Sequence, residues 1–281
     1  MSSAKAIFRT ALLFIIIVGL SSCSLLNKER PLFTPPSPTW NTLSEADSIQ
    51  YLSSLRKAVK NRVGVRIHSD ITIENKLASE RFEQVLVAKF PGSLRLEVFA
   101  PAVRTLQLLV GVSENQVVLL DAIRKVAYVE GSQEEVFEKL FFDSLSVSEL
   151  VNQMSGAFSI EASSIKQIFG WKLAKNIELD VVTNDKTYRL YLKVPERGVP
   201  QLQAIDSFRS GERTQSISYF YTPDGTLRGL EAKLFENGAL IKISHKSMES
   251  LFNLDEISER LFYVSVPRSY SLGSITDLKL H

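Results

Sequence analysis

The chain has 281 residues, 44% of them hydrophobic, with 33 Lys and Arg against 31 Asp and Glu. That is enough apolar chain for a globular body with a substantial core in one or two domains, and the near balance of charge excludes nucleic acid as an expected partner. A single cysteine, Cys23, excludes an internal disulfide.

Met1–Thr10 carries Lys5 and Arg9 and is followed by the apolar block Ala11–Leu20. A basic start, a short apolar run and small residues behind it form an export signal. The run is too short for the roughly 20 residues that cross a bilayer as a helix, so removal is expected, and the loss of Lys5 and Arg9 leaves a formally neutral chain. Leu20-Ser21-Ser22-Cys23 resembles the bacterial lipobox. The resemblance implies a lipoprotein signal peptide over residues 1–22, cleavage before Cys23, and acylation of the Cys23 thiol and new amino group. The competing reading is an ordinary secretory signal with an incidental cysteine. Several acyl chains on one residue hold a protein durably at a membrane, which one chain does not. In lipoproteins of this type Asp after the cysteine implies inner-membrane retention; Ser24 instead implies a lipid anchor in the outer membrane, facing the periplasm. Ser24–Trp40 contains Pro31, Pro35, Pro36 and Pro38, and proline's fixed φ predicts a semi-extended tether. Residues 23–41 are therefore assigned to the lipidated cysteine and its Pro-rich tether, and residues 42–281 to the folded body.

The body opens with a helix. Thr42-Leu43-Ser44-Glu45 has capping-box spacing, and Ile49, Leu52, Leu55 and Val59 recur at helical intervals. Its polar face, of mixed sign, suits packing against a larger element, with a membrane-surface helix as the alternative. From Asn61 the period becomes two, with Val63, Val65 and Ile67 opposite Arg66 and His68. Further strands are predicted at Arg81–Phe90, Ser93–Phe99, Thr105–Val112, Gln116–Asp121 and Lys125–Glu130, joined by short turns such as Pro91-Gly92, as an antiparallel meander. Two apolar helices interrupt it. Ser132-Gln133-Glu134-Glu135 caps one containing Phe137, Leu140, Phe141 and Phe142; Ser146-Val147-Ser148-Glu149 caps another containing Leu150, Val151 and Met154, closed by Gly156. A third helical turn is placed at Ser163–Phe169. Strands resume at Trp171–Thr183, Lys186–Val194, Gln201–Arg209, Thr214–Tyr221, Thr226–Phe235 and Ala239–Lys246, with Pro223-Asp224-Gly225 and Asn237-Gly238 as hairpin signals. Leu261–Val266 is read as a last strand and Ser269–His281 as a peripheral tail.

These elements predict a mainly β (α+β) fold: a strongly curved antiparallel sheet forming an incomplete, open β-barrel, covered by inserted helices. Ser93-Leu94-Arg95-Leu96-Glu97-Val98-Phe99-Ala100-Pro101, then Val117–Asp121, Tyr128 and the capped helices of 132–156, resemble the periplasmic lipoprotein carriers and receptors of the LolA/LolB type. With a lipid anchor, the resemblance favours the membrane-bound LolB-like receptor over the soluble carrier. It implies acyl chains of lipoprotein cargo, a periplasmic lipoprotein carrier and the outer membrane as partners. The chain is longer than such receptors, mainly in its later strands.

Acyl chains crossing water need cover, at about 0.8 kcal/mol per methylene. The residues expected to line such a cavity are Val65, Ile67, Leu96, Val98, Leu108, Leu190, Leu192, Ile217, Tyr219 and Ile241, with Phe137, Leu140, Phe141, Leu150 and Met154 from the lid. The same periodicity fits a plain core. In the loop after Pro101 the resemblance implies a protruding apolar residue that delivers lipoprotein to the membrane; Ala102 and Val103 occupy that place. A turn with a buried valine is the alternative. His68, His245 and His281 lack partners at metal-ligand spacing, and no nucleophile elbow or phosphate loop is present. No enzyme, metal or cofactor is therefore expected. Two functions compete: a carrier or acceptor of acyl chains that inserts lipoproteins into the outer membrane, and a non-catalytic structural or assembly lipoprotein whose curved sheet holds a protein partner in the envelope.

Overall fold

The computed structural model describes residues 30–274, apart from 58, 76–77, 114–115, 131–145, 159, 161, 197–198, 237, 254 and 256. The expected signal peptide, Cys23 and the first inserted helix, with Phe137, Leu140 and Phe141, lie outside the described residues. Among the described residues there are fifteen strands and two α-helices. In chain order they begin β1 (Asn41–Thr42), α1 (Glu45–Lys57), β2 (Gly64–Glu74), β3 (Ser79–Lys89), β4 (Ser93–Phe99), β5 (Leu106–Ser113), β6 (Gln116–Asp121) and β7 (Val126–Glu130). Next come α2 (Val147–Met154), β8 (Gln167–Leu173), β9 (Asn176–Val182), β10 (Thr187–Lys193) and β11 (Gln201–Arg209). The remainder are β12 (Glu212–Tyr221), β13 (Leu227–Leu234), β14 (Leu240–Leu251) and β15 (Ser271–Gly273). The fold is mainly β, and in neither of its two compact units does the sheet close on itself.

One unit comprises Asn61–Ser155 and the chain from Ile241 onward. Its strand order is β14-β2-β3-β4-β5-β6-β7-β15, antiparallel over the meander β2 to β7 and parallel where β15 joins β7. Alternation places one apolar side chain per strand in a row across the sheet: Ile67 opposite Leu86, Leu86 opposite Leu96, Leu96 opposite Val110, Val110 opposite Leu119, and Leu119 opposite Tyr128. The opposite face is apolar too. Val87, Leu251, Ile257 and Phe262 form one cluster there, and Leu109, Val118, Leu120 and Ala127 form another with Val264, Val266 and Tyr270 against it. The cover over this second face is the C-terminal segment, which differs from the expected strand at Leu261–Val266. Glu259–Leu261 is a 3₁₀ turn, and the residues after it cross the sheet, where Gly111 has no side chain to obstruct them; a Cβ there would stand 2.4 Å from Val264 Cγ2. The expected peripheral tail therefore supplies β15.

The other unit comprises residues 30–60 and Gly156–Leu240, with strand order β1-β8-β9-β10-β11-β12-β13. The expected single strand Trp171–Thr183 is a hairpin, β8 and β9, turning at Ala174, whose φ is 51°. Its first arm starts at Gln167, so the helical turn expected at Ser163–Phe169 is reduced to a 3₁₀ turn at Ala162–Ser164. The α1 cap also lies two residues later than its sequence pattern. Ser44 Oγ accepts from Asp47 N at 3.1 Å, while Thr42 pairs with Trp171 as part of β1. Leu52 and Leu55 are buried, but Ile49 is exposed and Ser48 takes the inner face, its Oγ donating to Ser44 O. Ser48 fits there because Gly170 of β8 lies beneath it; a Cβ on Gly170 would stand 2.3 Å from Ser48 Oγ.

Residues 30–40 of the Pro-rich stretch are not a free spacer. Phe33 N donates to Asp180 Oδ2 at 2.7 Å, its ring meets Phe169, Arg30 pairs with Glu178, and Arg189 donates to the carbonyls of Arg30 and Pro31. The register explains this anchorage: Arg189 lies between Asp180 of β9 and Asp206 of β11, and its Nε and Nη2 hold the Asp180 carboxylate at 2.8 and 3.0 Å. A buried charged strip of this kind needs its partners covered and satisfied. The N-terminal segment provides that cover.

Candidate functional site

The candidate site is the inner apolar face of the first unit together with α2. Ser146 caps this helix as a capping box, its Oγ accepting from Glu149 N at 3.1 Å while the Glu149 carboxylate accepts from Ser146 N at 2.8 Å. Gly156, with φ +68°, follows the end. Two turns of helix give a stripe of Val147, Leu150, Val151 and Met154, all buried against Val65, Ile67, Leu86, Leu94, Leu96, Val110, Val112, Val117, Leu119 and Tyr128. Val98, Leu108, Phe90, Val126, Ile243 and Met248 pack at the margin, partly buried.

Of the cavity residues expected from sequence, Val65, Ile67, Leu96, Val98, Leu108, Leu150 and Met154 are thus in one cluster. Ile241 is half-buried at the start of β14. Leu190, Leu192, Ile217 and Tyr219 are buried in the second unit, where Leu179, Leu190, Ile205 and Ile217 are successive cross-strand neighbours. The expected lining is therefore divided between two cores.

Polar groups fix both ends of α2. Ser148 Oγ donates to the Pro91 carbonyl at 2.7 Å. At the other end the buried Arg62 donates to Asn152 Oδ1 at 2.7 Å and Ser155 Oγ at 3.0 Å, its guanidinium 5.1 Å from the Phe90 ring centre. Burial pushes the Arg62 pKa down to about 10. His245 Nε2 lies 3.1 Å from Met154 O, and burial lowers its pKa. Both His68 and His245 are engaged. His68 Nε2 meets Glu83, which also accepts from Arg104 and pairs with Lys246; hydrogen bonds from His68, Arg104 and Lys246 hold the Glu83 pKa down to about 2.

The loop of residues 100–105 is closed by Ala100 N donating to Thr105 O, with Arg104 at φ 46°. Ala102 is exposed and Val103 is 72% exposed, which removes the buried-valine alternative. Asp121 has a local reason for ending β6: fully buried, it accepts from Ile123 N and Arg124 N at 3.0 and 2.8 Å and so shapes the next turn. Arg95 and Glu97 pair on the outer face, where Arg95 also donates to Leu261 O and so helps hold the C-terminal segment. Arg62 and the seat of His245 were not expected from sequence; only the fold brings them to a helix about 90 residues away.

No family model and no curated protein matches the chain. Solved structures do. A DUF1329 family protein from Desulfovibrio piger is 9% identical with a TM-score of 0.51, covering 77% of this chain and 97% of that one. A LolA superfamily protein from Nitrosomonas europaea is 11% identical with a TM-score of 0.50, covering 76% and 97%. A Vibrio parahaemolyticus domain whose description is of outer-membrane lipoprotein sorting is 10% identical with a TM-score of 0.48, covering 76% and 97%. In fold, then, the chain is similar to the DUF1329 and LolA superfamily structures, as the resemblance drawn from sequence implies.

Proposed function

We propose that the chain is a non-catalytic, membrane-anchored acceptor that binds the acyl chains of lipoproteins on the apolar face under α2 and helps to insert them into the outer membrane. The observation that carries this is the asymmetry of the first unit. Among the described residues, one face of its sheet is covered by the C-terminal segment and the other by α2, a helix of eight residues with an apolar stripe of four. Burying Val147, Leu150, Val151 and Met154 is worth about 1.5–3 kcal/mol each, about 6–12 kcal/mol together before entropy. An acyl chain of about 15 methylenes returns about 12 kcal/mol when covered. Exchange of one cover for the other is therefore close to balance, as a carrier requires.

In this reading residues 42–281 form the acceptor body, Cys23 is its lipid anchor, a periplasmic carrier supplies cargo, and the exposed Val103 with Ala102 leads delivery. Lipid extraction and native mass spectrometry of protein purified without detergent test the first step, with co-purified acyl species expected. Their absence, with a stoichiometric envelope protein bound instead, overturns the reading in favour of an assembly lipoprotein. Val103→Glu tests delivery: folding and acyl binding stay as in the parent, while transfer to liposomes falls. Unaltered transfer rejects the role of the loop.

A further inference from the structure

We infer that the corner of the first unit formed where β5, β6, β7 and β15 meet their turns, not the Val103 loop alone, is a docking surface for an anionic phospholipid bilayer. Three turns meet there. The 100–105 loop joins β4 to β5; Ala122 N donates to Gln107 O, which sets the 122–125 turn beside the start of β5; and Ser271 N donates to Lys125 O, which sets the 267–270 turn beside the 122–125 turn. All lie at the same end of the sheet because antiparallel strands return every second connection to one side; the β2–β3 connection, with Glu80 and the Lys242-paired Glu74, shares that end two strands away from β5.

Each of these segments presents an apolar residue to solvent: Val103 is 72% exposed, Ile123 41% and Leu272, two residues past the third turn, 75%. One exposed apolar residue is ordinary, but three on neighbouring segments of one edge supply an apolar rim of the kind that marks an interaction surface. Residues 100–105, 122–125 and 267–274 contain Arg104, Arg124, Lys125 and Arg268 and no Asp or Glu. Two of the cations have buried carboxylate partners, Glu83 for Arg104 and Asp121 for Arg124. Lys125 and Arg268 add exposed positive charge beyond those pairs. Apolar tips ringed by cations match the layering of a bilayer surface, with acyl chains behind anionic headgroups.

This surface widens the membrane-facing role proposed for Val103 and rests on that reading only for its biological setting. The test uses no cargo. In the full chain with Cys23→Ser, Ile123→Cys supplies the sole thiol for a polarity-sensitive fluorophore, and Gln116→Cys, exposed at the opposite end of β6, is the matched control. With vesicles of phosphatidylcholine and phosphatidylglycerol, the probe at 123 shifts to the blue and is quenched by brominated lipid, while the probe at 116 does not respond. Lys125→Asn with Arg268→Gln raises the lipid needed for half of that shift about twentyfold or more, at roughly fivefold per cation. A probe at 123 that stays in water, or that responds equally to phosphatidylcholine alone, overturns the inference even if acyl cargo is found on the protein. Insertion at 123 by a protein that carries no acyl chain supports this surface and leaves the acceptor reading to fall by itself.

Discussion

Arg62→Met separates the attachment of α2 from the stability of the sheet beneath it. The wild-type guanidinium makes two hydrogen bonds to the helix end, to Asn152 Oδ1 and Ser155 Oγ, each worth about 1.5–3 kcal/mol for a charged donor, or about 3–6 kcal/mol together. Against this stands the cost of burying the charge. Its pKa is lowered from 12.5 to about 10, which corresponds to roughly 3 kcal/mol. Methionine keeps most of the volume beside Phe90 and removes that cost, so the net loss is about 0–3 kcal/mol, nearly all of it at the end of α2. Hydrogen exchange reads the difference by position. The amide of Ser155, which donates to Val151 O, is expected to exchange faster by up to about a hundredfold, at 1.36 kcal/mol per decade, while amides in β3 to β6 keep their protection. If α2 is the exchangeable cover, an apolar acyl probe also binds more tightly, because less attachment has to be broken. Equal acceleration across helix and sheet, or slower exchange at Ser155, refutes the view that Arg62 holds the helix end.

Gly111→Ala tests the C-terminal cover: the new Cβ falls 2.4 Å from Val264 Cγ2 and 3.0 Å from Phe262 O, so a loss of about 1–3 kcal/mol is expected in denaturant unfolding, and an unchanged midpoint counts against the packing of that segment. His245 gives a pH dependence. Burial holds its folded pKa below 6.5, so the unfolded chain takes up the proton first, and the associated stability is present above about pH 6.5 and lost as pH falls through the folded value. The fall in melting temperature between about pH 7.5 and about pH 5.5 should therefore shrink in His245→Gln, and an identical fall in both proteins would show that the imidazole is not the titrating group.

The meander was legible because its inner face alternates cleanly: Val65, Ile67 and then Leu94, Leu96 mark strands whose partners follow from short turns. The capping box at Ser146 and Glu149 was equally local, and the structure has both of its hydrogen bonds. The second apolar face was missed, although Val117-Val118-Leu119-Leu120 carried the signal; a strand without alternation is one buried on both sides. What covers that face could not be read, since Phe262 and Val264 contact strands more than a hundred residues earlier through an irregular segment with no period. The β8–β9 turn was hidden because Ala174-Lys175 is not a turn signal and the pair is forced by strand pairing. Val103 was visible as a residue type in a loop, but its exposure belongs to the loop's closure by Ala100 and Thr105.

The two covers of the first unit differ in kind, and this bears on which can yield to a ligand. The C-terminal segment is tied at several points along its length: to β4 through Arg95 and Leu261 O, to β3 through the Lys89–Glu259 pair, under Gly111, and at β15 through ladder bonding to β7. Lifting any one part leaves the others in place, so the segment gains little freedom for the area it would expose. The helix α2 is a short rigid body whose apolar residues all face one way and whose polar ties are confined to its two ends. Such an element moves as a unit, and the area it uncovers is one continuous apolar strip from Val65 to Tyr128. A face exposed in one piece suits a linear alkyl chain better than the separate clusters beneath the tail, which is why the inner face carries the acceptor reading.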